Sequence, residues 1–189
     1  MKELKKLLSL YNSGTVFTAV DTETTGLRPD SERIIEIGAV RFSINGVEDT
    51  FSTLIYPEKT LSPLITSLTG ITYGMPESQP LFTEIADDFI SFIEGSKLIA
   101  HNAGFDMRFL NMELLRAGKK ELKSPAVPAV DTLRYARKAF PEFGKYKLSF
   151  LAEKLSINPG NAHRALDDAL TCMNLFLKCI SRAELLQDQ

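Results

Sequence analysis

The polar and apolar positions in the first half of the chain predict one short helix followed by three strands. The helical row is formed by Leu4, Leu7, Leu8 and Tyr11. Apolar, β-branched runs predict strands at residues 15–20, 33–42 and 47–55. Asn45 and Gly46 separate the second run from the third, and this dipeptide is a strong hairpin signal. We therefore predict an antiparallel three-strand meander, whose first strand delivers Asp21 to its C-terminal end.

The second half of the chain alternates between helical and extended patterns. Period-3.6 patterns predict helices at residues 81–93, 105–117, 133–139, 148–155 and 165–180. Short apolar runs predict a fourth and a fifth strand at residues 97–100 and 126–130. A meander followed by helical crossovers favours one α/β domain, in which helices flank a mixed five-stranded sheet with antiparallel and parallel strands.

Composition indicates an ordinary globular protein and limits its partners. The chain is 44% hydrophobic and 24% charged, with a net charge of −2. Nucleic-acid binding would therefore have to be local or assisted by metal ions. No apolar run approaches the ~20 residues of a membrane-spanning helix, and the N-terminal leucines are too interrupted for a signal peptide. We expect a cytoplasmic protein with no membrane partner.

Two carboxylates follow the first predicted strand, at Asp21 and Glu23. Side chains of a strand alternate between its faces, so these two point the same way. Like charges held that close repel each other, and a bound cation would neutralise them. The alternative is an acidic strand end, where Asp21 only bonds the backbone of the following Thr-Gly turn.

A second acidic group, Asp106, falls in the first turn of a predicted helix, just after His101. Taken alone, Asp106 is explained by the favourable interaction of a carboxylate with the helix dipole, about 0.3–1 kcal/mol when exposed. His101 either bonds its own loop or meets a substrate at the end of the sheet. Both alternatives remain open from these residues.

The last predicted helix begins with two adjacent acids, Asp167 and Asp168. Asp167 shares a helical row with polar residues, whereas Asp168 shares one with Ala165 and Cys172. Asp168 therefore points toward the packed side, where an unpaired carboxylate is unfavourable. His163 lies five residues before Asp168, about 140° around a helix, and reaches the same site only from the entry turn or loop.

These three segments together predict a metal site, and both histidines of the chain fall within them. Converging carboxylates without cysteine suit Mg²⁺ or Mn²⁺ rather than structural zinc. A pair of such ions activates water and stabilises the leaving oxygen in a phosphodiester displacement. Histidine exchanges protons readily near neutral pH, so His163 is the natural general base.

The three segments resemble the motifs of the DEDDh family of 3′-to-5′ exonucleases. They read DTETTG from Asp21, HNAGFD from His101 and HRALDDA from His163. The resemblance implies a ribonuclease-H-like fold and stepwise release of nucleoside 5′-monophosphates from a 3′ end. By the same resemblance Asp21 would bridge two ions, Glu23 and Asp168 would complete one ion site, Asp106 would serve the other, and His163 would be the base.

The resemblance also implies contacts to the substrate, a single-stranded 3′ end. Thr24 and His101 are expected to touch it. Residues 68–72 are similar to the family's loop near the terminal nucleotide, which makes Gly70 and Ile71 candidate contacts. On this basis the chain divides into an N-terminal helix at residues 1–14, an exonuclease domain at 15–181 and a short tail at 182–189.

The sequence leaves two points undecided: which protein, if any, is the partner, and whether the substrate is DNA or RNA. The family includes the proofreading epsilon subunit of bacterial DNA polymerase III, in which a further segment docks the polymerase. We expect this chain to lack that segment, so a polymerase partner and a stand-alone role in DNA repair are alternatives. The same chemistry would serve a 3′-to-5′ exoribonuclease on RNA ends. A non-catalytic, polymerase-associated module is an alternative of another class.

One further segment, residues 134–147, combines basic and aromatic side chains. Its cations are Arg134, Arg137, Lys138, Lys145 and Lys147, and Phe140, Phe143 and Tyr146 are interleaved with them. Such a combination could follow a single strand and stack on its bases. The alternative is an ordinary solvated surface.

Overall fold

The computed structural model describes residues 2–72, 74–122, 129–161 and 163–187. Its helices are α1 (Lys2–Asn12), α2 (Pro63–Thr69), α3 (Phe82–Ile93), α4 (Gly104–Arg116), α5 (Thr132–Ala139), α6 (Leu148–Lys154) and α7 (Ala165–Leu185). Its strands are β1 (Phe17–Thr24), β2 (Ile34–Ser43), β3 (Gly46–Leu54), β4 (Lys97–Ala100) and β5 (Val130–Asp131). A short 3₁₀ turn spans Pro141–Phe143.

The five strands form one mixed sheet in the order β3-β2-β1-β4-β5. β1, β2 and β3 are antiparallel neighbours, whereas β4 and β5 run parallel to β1. The predicted meander with added parallel strands is confirmed. Gly46 follows the hairpin turn with a φ of 108°, which glycine adopts without a Cβ clash. Within the described ranges, no helix has the combination of length and apolar character needed to span a bilayer.

Helices cover both faces of the sheet, and each face has its own apolar core. Phe17, Ala19 and Val40 pack with residues of α1, α5, α6 and α7. Val20 and Ile37 point to the opposite face and pack with residues of α3 and α4. This alternation follows from the period-2 geometry of a strand. It places odd-numbered β1 side chains on the α7 face and even-numbered ones on the α4 face.

Three element boundaries differ from the prediction. β1 continues through Thr24 because the ladder with β2 extends that far, with Asp21 opposite Gly38 and Glu23 opposite Glu36. α7 runs on to Leu185, so its last turn occupies part of the predicted tail. The predicted fifth strand at 126–130 lies mostly outside the described residues, and β5 is found at Val130–Asp131.

Helix α2 was not predicted, although its ends carry local signals. The Ser62 hydroxyl accepts a hydrogen bond from the backbone N–H of Ile65, and Pro63 opens the helix. Gly70 ends it in the left-handed region, with a φ of 70°. Ser at the N-cap, Pro at the first position and Gly at the end are typical of a short helix. The apolar pattern of residues 63–69 is too weak to predict a helix by itself.

Candidate active site

The C-terminal half of β1 is open along one edge. β1 pairs with β4 only from Phe17 to Ala19, and β4 ends at Ala100. Residues 21–24 of β1 therefore extend beyond β4, while their other edge stays paired with β2. The start of α4 lies along this edge instead, because its Asp106 accepts a hydrogen bond from the Thr22 N–H. A cleft lined by Asp21 and Asp168 lies beside it.

Asp21 and Glu23 lie on the α7 face, as the alternation along β1 requires. Burial is the main cause that raises the pKa of Asp21 well above its ordinary value, and the neighbouring Asp106 and Asp168 add to it. Burial, with Asp168 as the next cause, raises the pKa of Glu23 to about 8. The two side chains therefore share a site where uncompensated negative charge is unfavourable.

Asp106 approaches β1 along the edge that β4 leaves unpaired, from the first turn of α4. Its Oδ1 accepts hydrogen bonds from the backbone N–H of Thr22 at 3.1 Å and from the Thr22 hydroxyl at 2.8 Å. The side chain is 4% exposed. Burial raises the pKa of Asp106 to about 7, although the bonds from Thr22 act in the opposite direction. Thr22 thus fixes the carboxyl next to Asp21.

Asp168 and His163 come from the start of α7 and the turn before it. Asp168 Oδ2 accepts a hydrogen bond from the His163 backbone N–H at 3.1 Å. Asp167 is engaged elsewhere, because its Oδ2 accepts from the Asn161 N–H at 2.8 Å. Burial raises the pKa of Asp168. One ligand-type atom from each of Glu23, His163 and Asp168 falls within a mutual distance of 4.8 Å.

Two residues beside the site have a left-handed backbone that is uncommon outside glycine. The φ angles of Asn102 and His163 are both 66°. The Asn102 N–H donates to Asp131 Oδ1 at 3.0 Å, and the His163 N–H is held by Asp168. Such backbone strain occurs preferentially at functional sites.

The donor set of this site fits a divalent metal ion. Asp21, Glu23, Asp106 and Asp168 all have pKa values raised by burial in the metal-free protein, and each of the first two is raised further by the other carboxylates. A cation offsets that repulsion, and a set of carboxylate oxygens suits a hard ion. These four acids and His163 are the residues predicted from the sequence. In the structure they come from β1, α4 and the start of α7.

An ion pair with a buried carboxylate, which was not predicted from the sequence, holds the start of α7. Glu36 on β2 is 2% exposed. Its Oε1 accepts from Arg164 Nη2 at 2.7 Å and from Nε at 3.0 Å, and its Oε2 accepts from the Ala165 N–H at 3.0 Å. Gly38 adds a close approach, since a Cβ there would collide with the backbone of Ala165 and Leu166. The sequence signal for this ion pair is the charged residue Glu36 within the apolar run 34–40.

His101 lies at the cleft, but both of its ring nitrogens are bonded within the protein. Nε2 is 2.8 Å from the Tyr146 carbonyl oxygen, and Nδ1 is 2.9 Å from the Thr132 hydroxyl. A carbonyl only accepts, so Nε2 carries the proton and donates it to Tyr146. Burial lowers the pKa of His101, which favours this neutral form. The predicted substrate contact of His101 stays a prediction, and the ring also holds the segment that contains Tyr146.

The other predicted substrate contacts are placed as follows. Thr24 is 7% exposed, and its hydroxyl donates to the Gly26 carbonyl at 2.6 Å. Gly70 is the C-cap of α2. Ile71 has no exposed surface, so its side chain would have to move to touch a nucleotide. These three contacts stay predictions.

An open cavity of about 440 Å³ lies in front of the carboxylates. This volume lies within the range of about 300–1,000 Å³ usual for small-ligand sites. The cavity is lined by Asp21, His101, Asn102, Leu133, Tyr146, Lys147, Leu148 and Asp168. It therefore joins residues of the acidic site to the loop between α5 and α6.

Comparison with known proteins identifies relatives over most of the chain. Residues 18–176 match the RNase T family model, which describes exonucleases. DNA polymerase III subunit epsilon of Treponema pallidum is 46% identical over 167 residues, covering 87% of this chain and 76% of that protein. The aligned region includes most of the domain that carries the site.

Other relatives are much longer, or are known as structures. The PolC-type DNA polymerase III of Clostridium perfringens is 40% identical over 153 residues, which are 81% of this chain but only 10% of that protein. A structure of exonuclease X in complex with 5′-overhanging duplex DNA has a TM-score of 0.65 and 29% identity, covering 87% of this chain and 90% of that one. The predicted ribonuclease-H-like architecture is confirmed by such neighbours.

Proposed function

Because this chain belongs to the RNase T family of exonucleases, we propose that it is a metal-dependent 3′-to-5′ exonuclease that shortens single-stranded DNA. The DEDDh relationship predicted from the three acidic segments is confirmed by the same matches. The observation that carries the proposal is the grouping of four carboxyls and His163 beside a cavity that Asp21 and Asp168 line. Its products would be nucleoside 5′-monophosphates.

The carboxylates would hold two divalent ions, Mg²⁺ or Mn²⁺. Asp21 would bridge the two ions, a role supported by the closeness of Asp106, Asp168 and Glu23, all of which raise its pKa. When bound, such ions supply positive charge that makes water more acidic and stabilises the leaving oxygen. The raised pKa values of these carboxyls support the proposal, because a cation would restore their ionised forms.

His163 would act as the general base. Its place in the turn before α7 puts the imidazole beside Glu23 and Asp168. It would accept a proton from the water that attacks the terminal phosphorus. The bond from that phosphorus to the 3′ oxygen of the preceding nucleotide would break, and the leaving oxygen would take a proton from solvent. A side chain held by a turn also suits a group that must release its proton between cycles.

A role in DNA replication or repair is supported by the relatives. The Treponema protein is named as a polymerase III subunit, and exonuclease X was solved with DNA. A DNA polymerase subunit is accordingly the protein partner that we propose. Mixing the chain with the polymerase III catalytic subunit of its own source and measuring co-elution on gel filtration would test that partner; separate elution would count against it.

The first test is digestion of end-labelled oligonucleotides by the purified protein. We expect 5′-labelled single-stranded DNA to shorten stepwise in Mg²⁺ or Mn²⁺ and to stay intact with a chelator. Asp21→Ala should slow digestion about 1,000-fold, since each 1.4 kcal/mol of lost charge stabilisation slows a reaction about tenfold.

The matched control is Asp88→Ala, which removes an exposed carboxylate from α3 and should leave the rate unchanged. Activity that survives chelation, or normal digestion by Asp21→Ala, would exclude the metal mechanism. A matched RNA oligonucleotide digested faster than DNA would make the chain an exoribonuclease. If the protein digests none of these substrates, the result would favour a non-catalytic, polymerase-associated module.

A further inference from the structure

Three of the five cations of residues 134–147 divide into two groups in the structure. Arg134 and Lys138 both form ion pairs with Glu3 of α1, at 2.7 Å and 2.6 Å. Lys147 is exposed and lines the cavity together with Asp21 and Asp168. Among the residues that the structure describes, it has no ion-pair partner within 4 Å. The first group stabilises α1 against α5, whereas Lys147 faces the acidic site.

The backbone that carries Lys147 is held in place by its neighbours. The Tyr146 carbonyl accepts the hydrogen bond from His101 Nε2, and the Tyr146 hydroxyl donates to the Phe140 carbonyl at 2.9 Å. The Arg137 guanidinium lies 5.7 Å from the centre of the Tyr146 ring. Lys147 then adopts the extended conformation of an N-cap and begins α6. Its position at the cavity is therefore set by several contacts.

The charge balance of the site indicates a role for Lys147 in binding an anion. Four carboxylates and two divalent ions would sum to zero, since −4 and +4 cancel. An ammonium at the same cavity would then be an uncompensated positive charge facing solvent. The substrate of the proposed reaction is a chain of phosphodiesters, each with one negative charge. A lysine is a compact point charge that suits a single phosphate.

We propose that Lys147 binds a backbone phosphate of the substrate strand within one nucleotide of the scissile bond. His101 is a positioning residue for this contact, because its hydrogen bond to Tyr146 holds the segment at the cavity. The inference rests on the proposed exonuclease function, since it places a polyanionic strand in this cleft. It sharpens the broader interpretation of residues 134–147, because Arg134 and Lys138 are engaged by Glu3.

Binding measurements with matched lysine variants test the contact. The probe is a 5′-fluorescein-labelled oligothymidylate, measured by fluorescence anisotropy with Ca²⁺ in place of Mg²⁺. Lys147→Ala should weaken binding about tenfold, as expected for a lost charge-assisted hydrogen bond. The slope of log K against log salt should become shallower by about 0.7, the value for one single-strand phosphate. Lys145→Ala, two residues earlier and also exposed, should change neither quantity.

A set of oligonucleotides with one neutral methylphosphonate linkage identifies the phosphate. The penalty of Lys147→Ala should disappear when the neutral linkage lies at the scissile position or one nucleotide from it, and persist when it lies farther away. A penalty that persists with every linkage would overturn the proposal, as would equal effects of Lys145→Ala and Lys147→Ala. Mn²⁺ affinity, measured by calorimetry, should be unchanged; a parallel loss would mean that Lys147 serves the carboxylates.

The positioning role of His101 is tested by a double-variant cycle in the same binding assay. His101→Ala should weaken binding by a similar factor, and adding it to Lys147→Ala should weaken binding little further. Independent, multiplying losses would show that His101 contacts the strand itself and would refute the positioning role. Wild-type protein that binds but never digests DNA would instead refute the exonuclease function, so the two failures are distinguishable.

Discussion

Glu36 and Glu113 are both buried carboxylates that accept hydrogen bonds from arginine, yet they hold different parts of the molecule. Glu36 is 2% exposed and Glu113 is 1% exposed. Glu36 lies on β2 and faces α7, whereas Glu113 lies on α4, on the opposite face of the sheet. The chemistry of the two pairs is similar, but only the first adjoins the acidic site.

The Glu36 pair links the site to the sheet. Arg164 follows His163 directly in the chain, and Ala165 opens the helix that carries Asp168. Glu36 uses both carboxylate oxygens for these two residues. It also stands opposite Glu23 in the β1–β2 ladder. A change at Glu36 therefore acts mainly on the turn that carries the proposed base.

The Glu113 pair holds a connection instead. Its Oε1 accepts from Arg33 Nε at 2.8 Å and from Arg116 Nη1 at 3.1 Å. Arg116 also donates to the carbonyls of Pro29 at 2.8 Å and Asp30 at 3.0 Å, which fixes the loop between β1 and β2. Oε2 of Glu113 is buried without a partner among the described residues. A buried carboxylate in an ion pair is therefore not by itself evidence of a functional role. The role depends on which part of the molecule the ion pair stabilises.

Among the variants that test the role of the contact between β2 and α7, Gly38→Ala should have the largest effect. A methyl group at Gly38 would collide with the backbone of Ala165 and Leu166 and push the start of α7 away from β2. Overpacking of this kind costs about 1–3 kcal/mol of unfolding free energy. Misplacement by about 1 Å costs about 100-fold in rate. Chemical denaturation and single-turnover digestion measure the two losses.

Gly74→Ala is the matched control, because no atom lies within 4 Å of a Cβ there and its φ is not positive. It should leave both quantities near wild type. Normal turnover by Gly38→Ala would mean that the start of α7 is free to shift without consequence, and that its close packing on β2 does not place His163.

A smaller effect is expected from Glu36→Gln, compared with Glu113→Gln. Each change removes a charge that hydrogen-bonds arginine, so each should lower the unfolding free energy by about 1–3 kcal/mol. Only Glu36→Gln should also lower kcat, by about ten- to a hundredfold, because it releases the turn that carries His163. KM should change less than twofold or so in both variants.

A double-variant cycle separates this positioning effect from simple destabilisation. In a His163→Ala background, Glu36→Gln should reduce turnover little further, since it acts through the histidine. Equal losses of kcat in Glu36→Gln and Glu113→Gln, in proportion to their lost stability, would remove the distinction between the two pairs.

The last expected effect is a pH dependence of stability in the metal-free protein. The pKa of Glu23 is about 8 in the folded state, against an ordinary value of 4.5. A raised pKa means that the folded state binds the proton more tightly, so this stabilisation is present at low pH and is lost as pH rises from about 4.5 to about 8. Tm should therefore fall across that window in a chelator.

Thermal melts with and without Mg²⁺ measure this effect. Mg²⁺ should raise Tm most at the upper end of the window, because it binds the ionised carboxylates. Glu23→Gln should flatten the pH slope, whereas Glu113→Gln should preserve it. A slope that survives Glu23→Gln unchanged would show that groups other than Glu23 are responsible, and Asp106, whose pKa is raised to about 7, would be the next to test.

Several features of the fold and site were predictable because they depend on local spacing. The Asn45-Gly46 hairpin and the helical rows of α3 and α7 are short-range patterns, and the structure contains them. Strand alternation placed Asp21 and Glu23 on one face, and helical phase separated Asp168 from Asp167. The structure orients all four in this way.

Other features depend on partners that are distant in the chain. β1 runs through Thr24 because β2 pairs with it, and the edge beside Asp21 is open because β4 stops at Ala100. Glu36 and Arg164 are 128 residues apart, and Lys147 reaches the cavity through a hydrogen bond from His101 to its neighbour Tyr146. Chain periodicity carries information only over a few residues, whereas these contacts arise when packing brings separate elements together. Local sequence is therefore enough to make Asp21, Glu23 and Asp168 candidate ligands, and only folding decides which arginine, glycine and lysine stand beside them.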